Sequence, residues 1–321
     1  MLRTDLIFAV YLAFHCGIST VLSEDLKQPQ FDEATQKRID DRFVRDVLKR
    51  TIDVNELWLK PQPVRIHYKV QGNVINSPHD SRLEYSVWLD DQKSRMELQF
   101  SSGEHQQKSL LIANDDGVQF MNIKDSTKVK GPEISDLQNC LGAGLIRRTA
   151  LQVIAQKGLP ENVTLVSRNP ISGIRNTSGE IVTVEVDLKD ERFQFGVGTY
   201  QVQLGNLSSK FGRTRISIRL PEHVPVLEEL VDHDLSVQYS RDQFQVGHQC
   251  CPHMIRMVNA AYRKSFNNMN FWEMKAEFQM AGDHWLLKRA ENLQDGVVKS
   301  ELVVSDVTTD PIDDAKFRFD E

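Results

Sequence analysis

At Val64 the spacing of apolar residues in this chain changes from helical to every second position, and that change constrains the fold more than any other feature. Val64, Ile66, Tyr68 and Val70 alternate with Arg65, His67 and Lys69, and Met96, Leu98 and Phe100 alternate with Arg95, Glu97 and Gln99. The pattern returns at Leu83/Tyr85/Val87/Leu89, Val182/Val184/Val186/Leu188, Ile216/Ile218/Leu220, Leu235/Val237/Tyr239 and Trp272/Met274/Ala276/Phe278/Met280. Successive side chains on a strand point to opposite faces, so each segment is a strand with one apolar and one wet face.

Short polar joints separate several of these strands: Asp90-Asp91-Gln92, Asn114-Asp115-Asp116-Gly117, Gly282-Asp283 and Asp295-Gly296. They carry hairpin chemistry and predict antiparallel neighbours in place of βαβ crossovers. A sheet with one apolar face must curl or be covered, and three segments have the spacing to cover it. Residues 31 to 52 align Ile39, Phe43, Val47, Leu48 and Ile52, with acidic residues early and Lys49 and Arg50 late. Gly144 to Lys157 carries Leu145, Ile146, Ala150, Leu151, Val153 and Ile154. Pro252 to Phe266 carries Met254, Met257, Val258, Ala261, Tyr262 and Phe266 at helical intervals. The expected class is α+β, a strongly curved antiparallel sheet covered by a few helices. The polar stretch 169 to 180 is either a boundary or a long loop, and the chain is read as one domain.

The first 25 residues, MLRTDLIFAVYLAFHCGISTVLSED, place Arg3 before an apolar run from Leu6 to Ile18, with Val21 and Ser23 where small residues precede a cleavage. Residues 1 to 23 are expected to be an export signal, because the apolar run is short for a bilayer span. No other apolar run approaches membrane length, so the product is not expected to be an integral membrane protein. Its expected place is the periplasm or the extracellular space. The formal charge of −6 and a pI near 5.9 argue against a nucleic-acid surface.

The tail from Ala276 to Glu321 and the segment SLLIANDDGVQFMNIKDSTKV from Ser109 are similar in organisation to the periplasmic lipoprotein-carrier (LolA/LolB-like) family. The elements that carry the likeness are Trp285-Leu-Leu-Lys-Arg, the Asp295-Gly296 turn, the strand Val303 to Val307, the acidic pair Asp313-Asp314 and Phe317-Arg-Phe319, together with a helix before the first strand. With residues 1 to 23 removed, 321 minus 23 leaves 298, more than a typical carrier, and the excess falls between about 125 and 270. The resemblance implies one domain over 24–321, a half-barrel whose concave apolar face holds acyl chains under a helical lid. It implies a non-enzymatic binding role, with a lipid or an acylated protein as ligand and an envelope protein as possible partner. Tyr68, Met96, Phe100, Trp272, Met274 and Phe278 are the groove candidates. Pocket lining and packed core share one periodicity, so a filled core with a structural or interaction role is the alternative for the same residues.

The segment GHQCCPHM, residues 247 to 254, concentrates ligand-type side chains. His248, Cys250 and His253 are the metal candidates, and a metal or redox protein is a third possibility. The spacing matches no common structural zinc pattern. Beyond the leader the cysteines number three, Cys140, Cys250 and Cys251, and a disulfide from Cys140 to one of the pair is expected in an oxidising compartment. Asn162-Val-Thr, Asn176-Thr-Ser and Asn206-Leu-Ser are sequons that matter only in a eukaryotic secretory pathway. No nucleophilic hydrolase motif is present, Gly142-Ala-Gly144 is too short for a phosphate loop, and no catalytic residue or cofactor is assigned.

Overall fold

The computed structural model describes residues 32–60, 65–75, 81–90, 93–122, 125–128, 149–171, 179–189, 191–199, 202–233, 235–259 and 272–319. The expected leader, Cys140, the first residues of the segment starting at Gly144 and the sequon at Asn176 lie outside them. The chain divides into two compact units, Met1–Ile39 and Asp40–Glu321. In the first, residues 32–39 open the helix α1 (Glu33–Val54), where Asp32 accepts from the Thr35 amide and hydroxyl, both at 2.9 Å. The second unit contains the sheet.

The sheet begins as a meander of β1 (Arg65–Val74), β2 (Ser81–Asp90), β3 (Lys93–Ser102), β4 (His105–Asn114), β5 (Gly117–Asn122) and β6 (Asp125–Lys128). After α2 (Glu56–Leu59), which precedes β1, the next helix among the described residues is α3 (Ala150–Lys157). The chain then continues through β7 (Val163–Ile171), β8 (Gly179–Asp187), β9 (Arg192–Thr199), β10 (Val202–Lys210), β11 (Arg213–Leu220), β12 (Val224–Leu230) and β13 (Leu235–Tyr239). It ends with β14 (Gln243–Val246), β15 (Gln249–Pro252), β16 (Met254–Asn259), β17 (Trp272–Ala281), β18 (His284–Gln294), β19 (Val297–Thr308) and a single 3-10 turn, Asp314–Phe317.

Fifteen strands form one sheet in the order β6-β5-β4-β3-β2-β1-β19-β18-β17-β16-β13-β12-β11-β8-β7. The pairings along it are antiparallel, and among the described residues β6 and β7 end the order, so the sheet is not closed. Two hairpins stand outside it, β9–β10 and β14–β15. Strands dominate over the few helices, so the chain is more sheet-rich than the expected α+β class.

Turn residues fit their positions. Asp295 and Gly296, at φ 51° and 78°, form a two-residue loop between Gln294 and Val297, and Gly282 at φ 64° opens the loop between Ala281 and His284. Both loops demand positive φ, which asparagine, aspartate and glycine tolerate best.

The described part of one expected helix, residues 252 to 259 of Pro252 to Phe266, is strand, and the rest of that segment lies outside the described residues. Residues 249 to 259 form β15 and β16, and β16 pairs with β13 on one side and β17 on the other. Met254, Met257 and Val258 have helical spacing, but Ile255 and Met257 also alternate with Arg256 and Val258. The backbone hydrogen bonds offered by two neighbouring strands decide in favour of the second period. The helix expected over 31 to 52 is present, turned slightly: Val44, Val47, Leu48 and Thr51 are its buried residues, and Phe43 and Ile52 pack at the margin.

Candidate ligand-binding face

Register fixes which side chains share a face, because directly paired residues point the same way. One row runs Phe100, Leu83, Gly72, Leu302, Ala290, Ala276, Ile255, Tyr239 across eight adjacent strands from β3 to β13. Near its middle stand Gly72, Ala290 and Ala276, with Leu302 between Gly72 and Ala290. A Cβ on Gly72 would come within 2.9 Å of Leu302 Cδ2, so Leu302 occupies the space the glycine leaves. A second row on the same face runs Ile216, Glu228, Val237, Met257, Met274.

The opposite face is charged. Arg215 pairs with Glu185 at 2.9 Å, Arg256 with Glu273 at 2.7 Å, and Arg289 with both Glu291 and Glu301 at 2.6 Å.

The structure places the groove candidates as follows. Tyr68, Met96, Met274 and Phe278 are buried members of the hydrophobic core. Phe100 is half-buried, and the side chain of Trp272 lies outside the described residues. Tyr68 and Met96 both pair with Val87 across β2, so these two stand in one row. Met274 and Phe278 stand on β17, several strands away. Phe278 stacks on Trp285 with ring centroids 3.7 Å apart, Trp285 meets Trp58 at 5.7 Å, and Trp58 meets Tyr239 at 5.5 Å. This aromatic chain joins α2 to the sheet.

Sequence reasoning missed the polar centre of the same region. Glu228 is 0% exposed and lies on the apolar face. Its Oε2 accepts from the Ala150 amide at 2.8 Å, and its Oε1 accepts from the Leu151 amide at 3.3 Å and from the Tyr239 hydroxyl at 2.8 Å. Burial, the largest influence, pushes its carboxyl above the usual range against the pull of these donors. Burial, with Glu228 beside it, also pushes the Tyr239 hydroxyl well up. Two signals were available. Glu228 is two residues before the inward Leu230, hence on the same face. Thr149-Ala-Leu-Gln152 is a capping box, and the structure forms both of its hydrogen bonds at the start of α3.

The GHQCCPHM segment is a hairpin. Gly247, at φ 62°, and His248 turn between Val246 and Gln249, and Cys250 and Cys251 pair with Gln245 and Phe244. Cys250 and Cys251 are free thiols among the described residues, and Cys140, the partner expected for one of them, lies outside those residues. Consecutive strand residues point to opposite faces, and Cys251 is packed into the core. Burial pushes the Cys251 thiol up to about 12, with Cys250 contributing, and burial also raises Cys250. Gln249 ties this hairpin to the helices. Its Nε2 donates to Asp53 O at 2.8 Å and its Oε1 accepts from the Leu57 amide at 3.0 Å, which ties the α1–α2 corner to the hairpin. Of the metal candidates, His253 packs its ring against Phe244 at 3.6 Å, and His248 Nε2 lies 2.8 Å from Gln249 Nε2. Among the described residues no group of three His, Cys, Asp or Glu side chains is placed to hold a metal ion. No described helix is long and apolar enough to cross a membrane.

No protein-family profile matches the chain, and no curated protein matches it. Among solved structures it is similar to a domain described as an outer membrane lipoprotein-sorting protein from Vibrio parahaemolyticus, at a TM-score of 0.31 and 7% identity over 86% of this chain and 96% of that one. It is similar also to a DUF1329 family protein from Desulfovibrio piger, at a TM-score of 0.31 and 8% identity over 87% of this chain and 97% of that one.

Proposed function

We propose that this chain is an exported, non-enzymatic binding protein whose sheet curves as a half-barrel and holds a lipid or an acylated protein against its apolar face. The carrying observation is the continuous apolar row from Phe100 to Tyr239, with Gly72, Ala276 and Ala290 near its middle. Small side chains in the centre of a long apolar face suit an acyl chain lying across the strands, and methionines beside it, Met257 and Met274, adapt to ligands of varied shape. The carrier-like order of elements in the sequence agrees with this reading. The compartment is the periplasm or the extracellular space, the organisation one domain over 24–321, and an envelope protein the partner to which the ligand passes.

Native mass spectrometry of the protein, purified from an exporting host without detergent, tests the proposal. An acyl-lipid adduct that disappears on denaturation is the expected result, and a bare chain overturns it. The burial of Tyr68, Met96, Met274 and Phe278 favours a second reading, a sheet with a filled core acting as a structural or interaction protein, and the bare chain selects that one.

A further inference from the structure

Two charged side chains are buried among the described residues, Glu228 and Glu273. Glu273 lies on the charged face of the sheet and is neutralised there by Arg256 at 2.7 Å and Lys275 at 3.4 Å. Glu228 lies on the apolar face. Its partners include two backbone amides, the Tyr239 phenol and the Thr149 hydroxyl, none of which carries a full positive charge. A buried carboxylate is costly unless paired, and a helix N-terminus supplies only about half an elementary charge. The seat at Glu228 is therefore only partly compensated by the group that occupies it. Next to it stands the ring of Tyr239, in tilted contact with Trp58 at 5.5 Å, and aromatic faces favour organic cations. Leading away from it in register are Val237, Met257 and Met274, an apolar track over three strand spacings, about 14 Å.

We propose that Glu228 is the polar anchor of the ligand site, that the ligand it takes is a single-chain amphiphile with an ammonium-type head, and that this head replaces the N-terminus of α3. The inference rests on the reading above that the apolar face accepts an acyl or alkyl chain. In the structure as described, the amides of Ala150 and Leu151 stand where the cationic head would sit, so α3 acts as an internal stand-in. The alkyl chain follows the Val237–Met257–Met274 track, and the amides freed at the start of α3 turn to solvent.

The test uses the full chain and three amphiphiles of the same alkyl length, each below its micelle concentration: dodecylammonium, dodecanoate and dodecyl maltoside. Calorimetric titration is combined with hydrogen exchange of the α3 amides, on wild type and on Glu228→Gln. The expected result is that dodecylammonium binds about tenfold or more tighter than dodecanoate. Exchange at Ala150 and Leu151 should speed up on binding, and the preference should vanish in Glu228→Gln. If all three bind alike, the apolar face is a ligand site but Glu228 is not its anchor, and the inference falls alone. Tight dodecylammonium binding with α3 still protected also overturns it, because the head has not displaced the helix. If none of the three binds, the acyl-binding reading falls with it. Should Glu228→Gln fail to fold, the head-group comparison on the wild type, together with the exchange data, decides.

Discussion

The hydroxyl of Tyr239 donates to Oε1 of Glu228 at 2.8 Å from a residue two strand positions beyond Val237, which is the cross-strand partner of that glutamate. The two side chains are thus diagonal neighbours on one sheet face, buried together and closed off by the first turn of α3. Replacing Tyr239 with Phe removes the donor and keeps the ring. A hydrogen bond to a buried carboxylate is worth about 1.5–3 kcal/mol, and urea unfolding of Tyr239→Phe should show a loss in that range. A loss below about 0.5 kcal/mol would mean that the hydroxyl contributes nothing net to holding the carboxylate.

Glu228 also sets a pH dependence of stability. Burial raises its folded-state pKa above the unfolded value, so in the window above about 4.5 the folded form binds more protons than the unfolded one. Stability from this group is greatest at acid pH and declines as pH rises through the window. Denaturant titrations at several pH values should therefore give a falling contribution from pH 4.5 upward in wild type that is absent in Glu228→Gln. A difference between the two proteins that does not change with pH would be the wrong outcome.

His223 works in the opposite direction. Burial, with Arg50 adding to it, lowers its pKa, so the unfolded chain takes up a proton near pH 6.5 that the folded chain resists. Stability from His223 is present above about pH 6.5 and is lost as pH falls towards the depressed value. The residue also holds φ at 56°, a left-handed conformation that asparagine tolerates, and its carbonyl accepts from Asn55 Nδ2 at 3.0 Å. His223→Asn should keep the fold and flatten the acid limb of the stability profile. An unchanged acid limb in that variant would assign the limb to other groups, His67 among them, whose pKa burial also lowers.

Trp58 joins the helices to the sheet through its ring contacts with Tyr239 and Trp285, while its indole nitrogen donates to Asn55 Oδ1 at 3.1 Å. Trp58→Ala removes the whole side chain from a buried site and should cost about 3–5 kcal/mol. Chemical unfolding followed by circular dichroism measures it. A cost near that of a surface substitution would show that α2 is not held by this contact.

The thiols of Cys250 and Cys251 should be nearly inert in the folded protein, because burial raises both and leaves little thiolate at neutral pH. A colourimetric thiol reagent should label them slowly under native conditions and quickly in denaturant. Mass measurement of the intact protein should show no two-dalton deficit attributable to either cysteine. Rapid labelling of Cys251 in the native state would contradict its place in the core.

The sequence by itself determined the strands, their two-faced character and most of their joints. Alternation such as that from Trp272 to Met280, and turns such as Asp295-Gly296, are local signals that need no distant partner to be read. What only the tertiary structure decided depends on contacts between residues far apart in the chain. The join of β1 to β19 pairs Val70 with Val304, and no local pattern specifies it. Residues 254 to 259 satisfy helix and strand periods alike, and the open hydrogen-bonding edges of β13 and β17 select the strand. Cys250 and Cys251 read as a pairing or metal motif, yet the hairpin turns one of them into the core and gives the tying contact to Gln249. Glu228 reads as one more solvated carboxylate among the acidic residues of its strand. It becomes the polar centre of the apolar face only because α3, from a distant part of the chain, brings two amides to it, and a charge can stay buried only where such donors are fixed in place.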